Sequence, residues 1–281
     1  MRISDGLGNQ LYQYATGLAV AKMNKEELVL DISDAKNSTL RDYMLDQFCI
    51  DPCKTLYFPN GNFFQKLYTK LHHKLCYDMF EEKIVTEKNG WFNEYDPKVI
   101  EPSKGKPKYM AGYWQNHRYF DDYMEDIRRQ FQPAAGFSDR VKELRQQFAA
   151  GDTCGIHIRC GDIPPKKAGY FTAAIKKMEE LQSPKEYIVF TNDEKAAAEV
   201  LNEFQINYRM ISSYGEFTDV EEFFLLSSCT HFIIANSSYS LWATYLNENN
   251  DKTVIVPYKA EWEDGYYYKD WVIIPPEAEG E

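Results

Sequence analysis

The chain of 281 residues predicts an α/β protein built as two Rossmann-like domains. Three observations predict it. The length suits two domains of ordinary size. The first thirty residues read as strand, glycine turn, helix, strand. The second half alternates short apolar, β-branched runs with segments of helical period, the signature of a parallel sheet covered on both faces.

Taken in order, Arg2 to Ser4 form a very short opening strand, and Gly6-Leu7-Gly8-Asn9-Gln10 follow at once. Leu11, Tyr14, Ala15 and Leu18 then recur at helical spacing, and Glu27 to Ile32 make the next strand. From Ser33 to Pro107 the pattern loosens. Asn62 to Leu75 read as helix, Lys83 to Thr86 as strand, and Gly90 to Lys106 as loop. Tyr109 to Trp114 read as strand and His117 to Phe131 as helix. Gln132-Pro133-Ala134-Ala135-Gly136 is the candidate junction, giving domains of 1–136 and 137–281. Beyond it come a helix over Ser138–Phe148, a strand over Cys154–Ile158, a helix over Thr172–Leu181 and a strand over Tyr187–Thr191. A helix over Glu194–Phe204 and a strand over Tyr208–Ile211 follow. Next is a helix over Thr218–Ser228, with Thr218 and Glu221 at capping-box spacing. The last elements are a strand over His231–Ala235, a helix over Ser238–Leu246 and a strand over Thr253–Val256.

Composition narrows the function classes. Apolar residues at 44% place the chain among globular proteins. A net charge of −11 argues against a nucleic-acid groove or an anionic membrane surface as the main partner, although one or two cations with backbone amides can still hold a nucleotide. The six cysteines read as reduced thiols, because the chain is large and shows no signal peptide. Cys49 and Cys53 have no second Cys/His pair to complete a zinc set. No apolar run approaches the ~18 residues of a membrane span, and targeting elements are absent, so the expected location is cytoplasmic.

Chemistry-bearing residues gather where strands end. In Thr153-Cys154-Gly155-Ile156-His157-Ile158-Arg159-Cys160-Gly161-Asp162, a buried strand stops at a glycine with His157, Arg159 and Asp162 around its end. Ligands of open α/β sheets bind beyond the carboxyl ends of strands, so an anion is expected here. The ordinary alternative is an ion pair at a sheet edge and a packed histidine. Phe190-Thr191-Asn192-Asp193-Glu194 is a second such turn. Asp193 would accept from a base or ribose, while Thr191 and Glu194 at capping-box spacing explain the stretch without a ligand. Ile234-Ala235-Asn236-Ser237-Ser238-Tyr239-Ser240 is a third. A helix amino-terminus attracts phosphate; capping accounts for one serine but not for three behind Asn236. Three such turns along one sheet edge suit a nucleoside diphosphate. There is no Gly-x4-Gly-Lys-Ser/Thr loop for a P-loop ATPase and no Asp-x-Asp for a metal–diphosphate clamp. The Gly6-x-Gly8 turn also admits a dinucleotide-binding oxidoreductase with Asp31 as its ribose acid, but Leu11 stands where the third glycine belongs. A non-catalytic glycan-binding module is the other alternative, given 21 tyrosines and 5 tryptophans for sugar stacking.

Four stretches together resemble the galactoside α-1,2-fucosyltransferases of glycosyltransferase family 11. They are Gly6 to Ala15; Gly112-Tyr113-Trp114-Gln115 with Tyr119-Phe120; His157 to Asp162; and Ile233 to Trp242. Phe190 to Asp193 is similar to the family's second donor motif, and the likeness runs to about Pro257. The resemblance implies a GT-B fold with two Rossmann-like domains facing a cleft. It also implies transfer of L-fucose from GDP-β-L-fucose to the 2-hydroxyl of a terminal galactose, with inversion and without a metal or other cofactor, and a location that is cytoplasmic or peripheral to a membrane through a lipid-linked glycan acceptor. In its terms Arg159 holds the β-phosphate, and His157 and Asp193 lie at the guanosine end. Ser237 and Ser238 meet the phosphates, while Asn9 and Gln10 face the cleft from the first domain. The expected catalytic residues are Arg159 and Asn9. The expected donor contacts are His157, Arg159, Asp162, Asp193, Asn236, Ser237, Ser238, Gly8 and Gln10. Two departures stand out: the family usually has a second arginine where Cys160 stands and a glycine where Asp5 stands.

Overall fold

The computed structural model describes residues 1–59, 84–86, 95–102, 108–159, 168–202, 204–258 and 265–275. The helix expected over Asn62–Leu75, and Cys160 and Asp162, lie outside them. The chain divides into two compact units, Met1–Ala134 with Glu261–Tyr268, and Ala135–Ala260 with Lys269–Glu281. The division falls just before Gly136, and a stretch near the carboxyl terminus groups with the first unit rather than the second.

The first unit is organised on a helix over Leu7–Asn24. Nearly every residue from Leu7 to Ala21 is buried, so this helix is apolar around most of its circumference and runs through the unit's interior. It stops at Lys25, whose left-handed backbone (φ 56°) turns its N–H onto Ala21 O and Lys22 O. β1 (Val29–Asp31) pairs in parallel with β2 (Lys54–Leu56), and β3 (Ile84–Thr86) pairs in parallel with β4 (Tyr109–Ala111). The opening residues join the two pairs. Ile3 N donates to Asp31 O at 2.8 Å and Arg2 N donates to Met110 O at 2.9 Å. The expected opening strand is thus a single bridge, Arg2 to Asp31, because the chain leaves the ladder at Asp5. The expected helix over His117–Phe131 is instead two 3-10 turns and a helix over Met124–Gln130. Asn116 begins the first turn by accepting from Arg118 N, a local side-chain bond that competes with a regular helical start.

The second unit holds a six-stranded, all-parallel sheet. Its strands are β5 (Thr153–Ile158), β6 (Glu186–Thr191), β7 (Tyr208–Met210), β8 (His231–Ile234), β9 (Val254–Pro257) and β10 (Val272–Ile274). The spatial order is β10-β9-β8-β5-β6-β7. Numbered within the unit this is 3-2-1-4-5-6 read from the β7 edge, and the winding reverses between β5 and β8. β5 is buried at all six positions, as a central parallel strand must be. Cys154, Ile156 and Ile158 face a core with Tyr170, Phe171, Ala174 and Met178. Gly155 faces the other way, where a Cβ would stand 2.6 Å from Leu226 Cδ1, so the helix over Asp219–Leu226 packs directly on the strand. The Thr218–Glu221 capping box forms as expected. The sequence reading missed β10, a three-residue run with no alternation of its own, defined by its pairing to β9.

Candidate functional site

The second unit brings three of the predicted turns to one edge. Register pairs Ile158 with Thr191 on one side of β5 and His157 with Ile234 on the other. Arg159, the Thr191–Asp193 turn and the Asn236–Ser238 turn therefore leave the carboxyl ends of three adjacent strands. Two of those strands, β5 and β8, flank the point where the winding reverses. In open α/β sheets that crevice is the ligand site, because diverging connections leave it open and helix amino-termini point into it.

Each side chain can be placed from the strand upward. His157 is buried and its Nδ1 has no hydrogen-bond partner. Its ring lies 5.5 Å from that of Tyr239, which packs edge-on to Phe223 at 5.3 Å and donates from its hydroxyl to Asp219 O at 2.9 Å. Burial, and secondarily the Arg159 charge, pushes the His157 pKa down to about 3, so this imidazole is neutral at pH 7. Arg159 is half-buried at the strand's end. Ser237 occupies the N-cap of the helix over Ser238–Leu246 yet makes no capping bond. Its Oγ is buried without a partner, so the expected capping explanation does not account for this serine. Ser238 and Asn236 are partly exposed beside it. A buried, unsatisfied hydroxyl is uncommon in native proteins, and two such atoms, Ser237 Oγ and His157 Nδ1, sit at neighbouring strand ends.

The second turn needs a correction. Thr191 and Glu194 do not form a capping box. Asp193 is the N-cap of the helix over Glu194–Leu201, its Oδ1 accepting from Ala196 N at 3.0 Å, while Thr191 Oγ1 accepts from Asp193 N. Asp193 is exposed. Sequence reasoning missed Glu222 altogether. It lies near enough to Tyr239 on one side and to Glu194 on the other to interact electrostatically with both. Burial, reinforced by Asp219 and Glu194, raises its pKa to about 7. The only hint in the sequence was an extra acid in an otherwise apolar helix, Asp219-Val220-Glu221-Glu222-Phe223-Phe224.

In the first unit the expected residues separate. Gln10 is fully buried. Its amide donates to Asp5 O and Asp42 O, both at 2.7 Å, and its Oε1 accepts from Met44 N at 2.9 Å. It ties the 38–44 loop to the helix start and has no N–H left for a donor nucleotide, which corrects that expectation. Gly8 is likewise buried within the helix. Asn9 is partly exposed, its Oδ1 accepting from Gln115 Nε2 at 2.6 Å. Asp31 is buried, with Oδ1 taken by Ser33 N and Oδ2 by the Tyr109 hydroxyl. A ribose acid must offer a carboxylate oxygen, so this arrangement argues against the dinucleotide reading. Among the described residues no group of three His, Cys, Asp or Glu is placed to hold a metal ion, and no helix is long and apolar enough to cross a membrane.

A family model described as glycosyl transferase family 11 matches residues 1–275. The chain belongs to glycosyl transferase family 11. Family 11 relatives include an α-1,2-colitosyltransferase of Escherichia coli, 28% identical over 278 residues that cover 91% of this chain and 90% of the relative. Another is the O-antigen biosynthesis glycosyltransferase WbnK of Escherichia coli, 28% identical over 299 residues, covering 92% and 93%. Among solved structures, the NodZ α-1,6-fucosyltransferase soaked with GDP-fucose aligns with a TM-score of 0.54 at 15% identity, covering 87% of this chain and 90% of that one. A variant of Arabidopsis thaliana FUT1 in complex with GDP aligns with a TM-score of 0.51 at 14% identity, covering 92% and 70%. The fold of this family 11 glycosyltransferase is of the GT-B type.

Proposed function

We propose that this family 11 glycosyltransferase moves L-fucose from GDP-β-L-fucose to the 2-hydroxyl of a terminal β-galactoside, with inversion and without a metal. One observation carries the reading. A guanidinium, Arg159, and a helix amino-terminus behind an unpartnered Ser237 hydroxyl leave adjacent parallel strands at the point of winding reversal. That is a site for a diphosphate. Arg159 bridges phosphate oxygens in a way a point charge cannot. The free N–H groups of the helix over Ser238–Leu246 stabilise the charge that grows on departing GDP. Neutral His157 and the acids Asp193 and Glu222 serve the nucleoside end, the acids accepting its N–H and O–H groups.

The resemblance supports a fucose donor, while the name of one relative, an α-1,2-colitosyltransferase, makes GDP-colitose the competing donor. The deciding experiment offers GDP-fucose and GDP-colitose with a panel of β-galactosides and analyses the linkage formed. An α-1,2-fucosylated galactoside supports the reading, and transfer of colitose alone replaces the donor. Absence of both transfer and GDP binding by calorimetry leaves a glycan-binding module. Arg159→Ala should lower turnover by about 10²–10³-fold with the unfolding transition unchanged; near-wild-type turnover would remove Arg159 from the mechanism.

A further inference from the structure

The second unit holds a cleft that the strand-end turns do not use. Its volume is about 600 Å³, and it lies at the opposite edge of the sheet, beside the Ser227–Thr230 turn that leads into β8. That turn and the 246–249 turn make its floor, and the helix over Asp139–Ala150 makes one wall. Thr230 N donates to Thr153 O at 3.0 Å. The cleft therefore sits at the start of the same two strands, β5 and β8, that lead to Arg159 and Ser237 at their far ends.

The floor has its polar atoms committed. Ser227 and Ser228 donate their hydroxyls to Phe224 O at 2.9 and 2.7 Å. Asn247 Nδ2 donates to Ser227 O and Cys229 O, and its Oδ1 accepts from Asn249 N. The wall differs. Lys142, Arg145 and Gln146 come from successive turns of one helix and line the same cleft. Arg145 is half-buried, with its guanidinium over the Phe137 ring at 4.3 Å and its Nε donating to Ser228 Oγ at 3.0 Å. Among the described residues no carboxylate pairs with it, and both Nη groups are uncommitted. Glu248, the acid at this cleft, is exposed and forms no ion pair with it. Lys142 is exposed and bridges to Asp139 at 3.0 Å.

The neighbouring helix over Asp219–Leu226 does not need Arg145 as a cap. Its last carbonyls are already taken: Phe223 O by Ser227 N, Phe224 O by the two serine hydroxyls, Leu225 O by Ser228 N and Leu226 O by Cys229 N. A half-buried cation without a counter-ion costs stability, so its free fork points to a ligand. A guanidinium grips two oxygens of an anion at once, while an ammonium adds a point charge. The fork alone would use both oxygens of a carboxylate. A phosphoryl group keeps a third oxygen for Lys142 or the Gln146 amide. The volume of the cleft is that of a small-molecule site.

We infer that Arg145, with Lys142 and Gln146, forms a second anion site in this unit, which takes the phosphoryl group of a small phosphate ester or of a lipid headgroup. The site is separate from the strand-end turns and does not depend on the glycosyl-transfer reading.

The test adds inorganic phosphate to the full chain at constant ionic strength and follows the amide resonances of Ser227 to Thr230 and Asn247 to Asn249 by NMR. Wild type should show saturable shifts that sodium chloride does not produce. Arg145→Met keeps an apolar stem on Phe137 and should weaken binding by about 10–150-fold. Lys142→Met should weaken it severalfold. Arg159→Ala should leave it within twofold, which separates this site from the strand-end turns. Cosedimentation with phosphatidylglycerol vesicles, against phosphatidylcholine, distinguishes the sources. Vesicle binding lost in Arg145→Met assigns a headgroup, and phosphate binding without vesicle binding assigns a soluble ester. The absence of saturable shifts in wild type, equal shifts with chloride, or wild-type affinity in Arg145→Met would overturn the inference. Should Arg145→Met fold poorly, the exposed Lys142→Met and the charge-keeping Arg145→Lys decide, and unchanged affinity in both would overturn it.

Discussion

Ser237→Ala is the most discriminating perturbation, because it should move stability and affinity in opposite directions. A serine at an N-cap ordinarily contributes about 1 kcal/mol through its bond to the first turn, and alanine loses it. Here that bond does not exist, and the Oγ is buried without any partner. An unsatisfied buried hydroxyl costs about 1–3 kcal/mol. Removing it should therefore stabilise the unliganded protein by about 1 kcal/mol, the lower end, since the smaller side chain also leaves a little space. In a protein of this size that raises Tm by about 2–4 °C. Affinity should fall. A hydrogen bond to a charged phosphate is worth about 1.5–3 kcal/mol, so the Kd for GDP should rise by about 10–150-fold. Differential scanning calorimetry of the free protein and titration calorimetry with GDP test the two halves. A loss of more than about 1 kcal/mol in stability, or an unchanged Kd, would refute the argument that Ser237 is held in reserve for a ligand.

Three further outcomes are expected. Gly155→Ala places a methyl 2.6 Å from Leu226 Cδ1 and 3.2 Å from Cys229 Sγ, both fully buried, so urea unfolding should show a loss of about 1–3 kcal/mol. Acid should weaken the fold before the carboxylates titrate. His157 and His231 are both buried with depressed pKa values, and His231 Nδ1 accepts from Thr253 N, which only the neutral ring can do. The unfolded chain then binds protons that the folded one refuses. Stability should fall as pH drops below about 6.5, by up to about 1.4 kcal/mol per pH unit through His157 with His231 acting in the same direction, and His157→Gln should make the pH 7 to 5 slope shallower. Glu222 runs in the opposite sense. Its folded pKa is raised to about 7, so it favours folding at low pH and that contribution is lost as pH rises from about 4.5 through 7. Ligand N–H and O–H groups favour its ionised form, so affinity for guanosine, which carries no titrating phosphate, should rise toward pH 7. Glu222→Gln should abolish that rise.

Local signals along the chain were strong wherever an element's own residues decide its form. The apolar run of β5, the Thr218–Glu221 capping box and the start and end of the helix over Ser238–Leu246 could all be read directly, since propensity and periodicity act within a few residues. Three strand-end turns with a basic, an acidic and a hydroxyl character were legible for the same reason. Their meeting at one edge was a matter of strand order, and the 3-2-1-4-5-6 winding is set by contacts far apart in sequence. Only the tertiary structure could show that Gln10 and Asp31 have their polar atoms committed inside the protein, because their partners Asp42, Met44 and Tyr109 come from distant segments. The same holds for His157 and Ser237. A sequence shows that a polar group is present; whether packing leaves it paired, exposed or stranded is decided by what the rest of the chain places beside it.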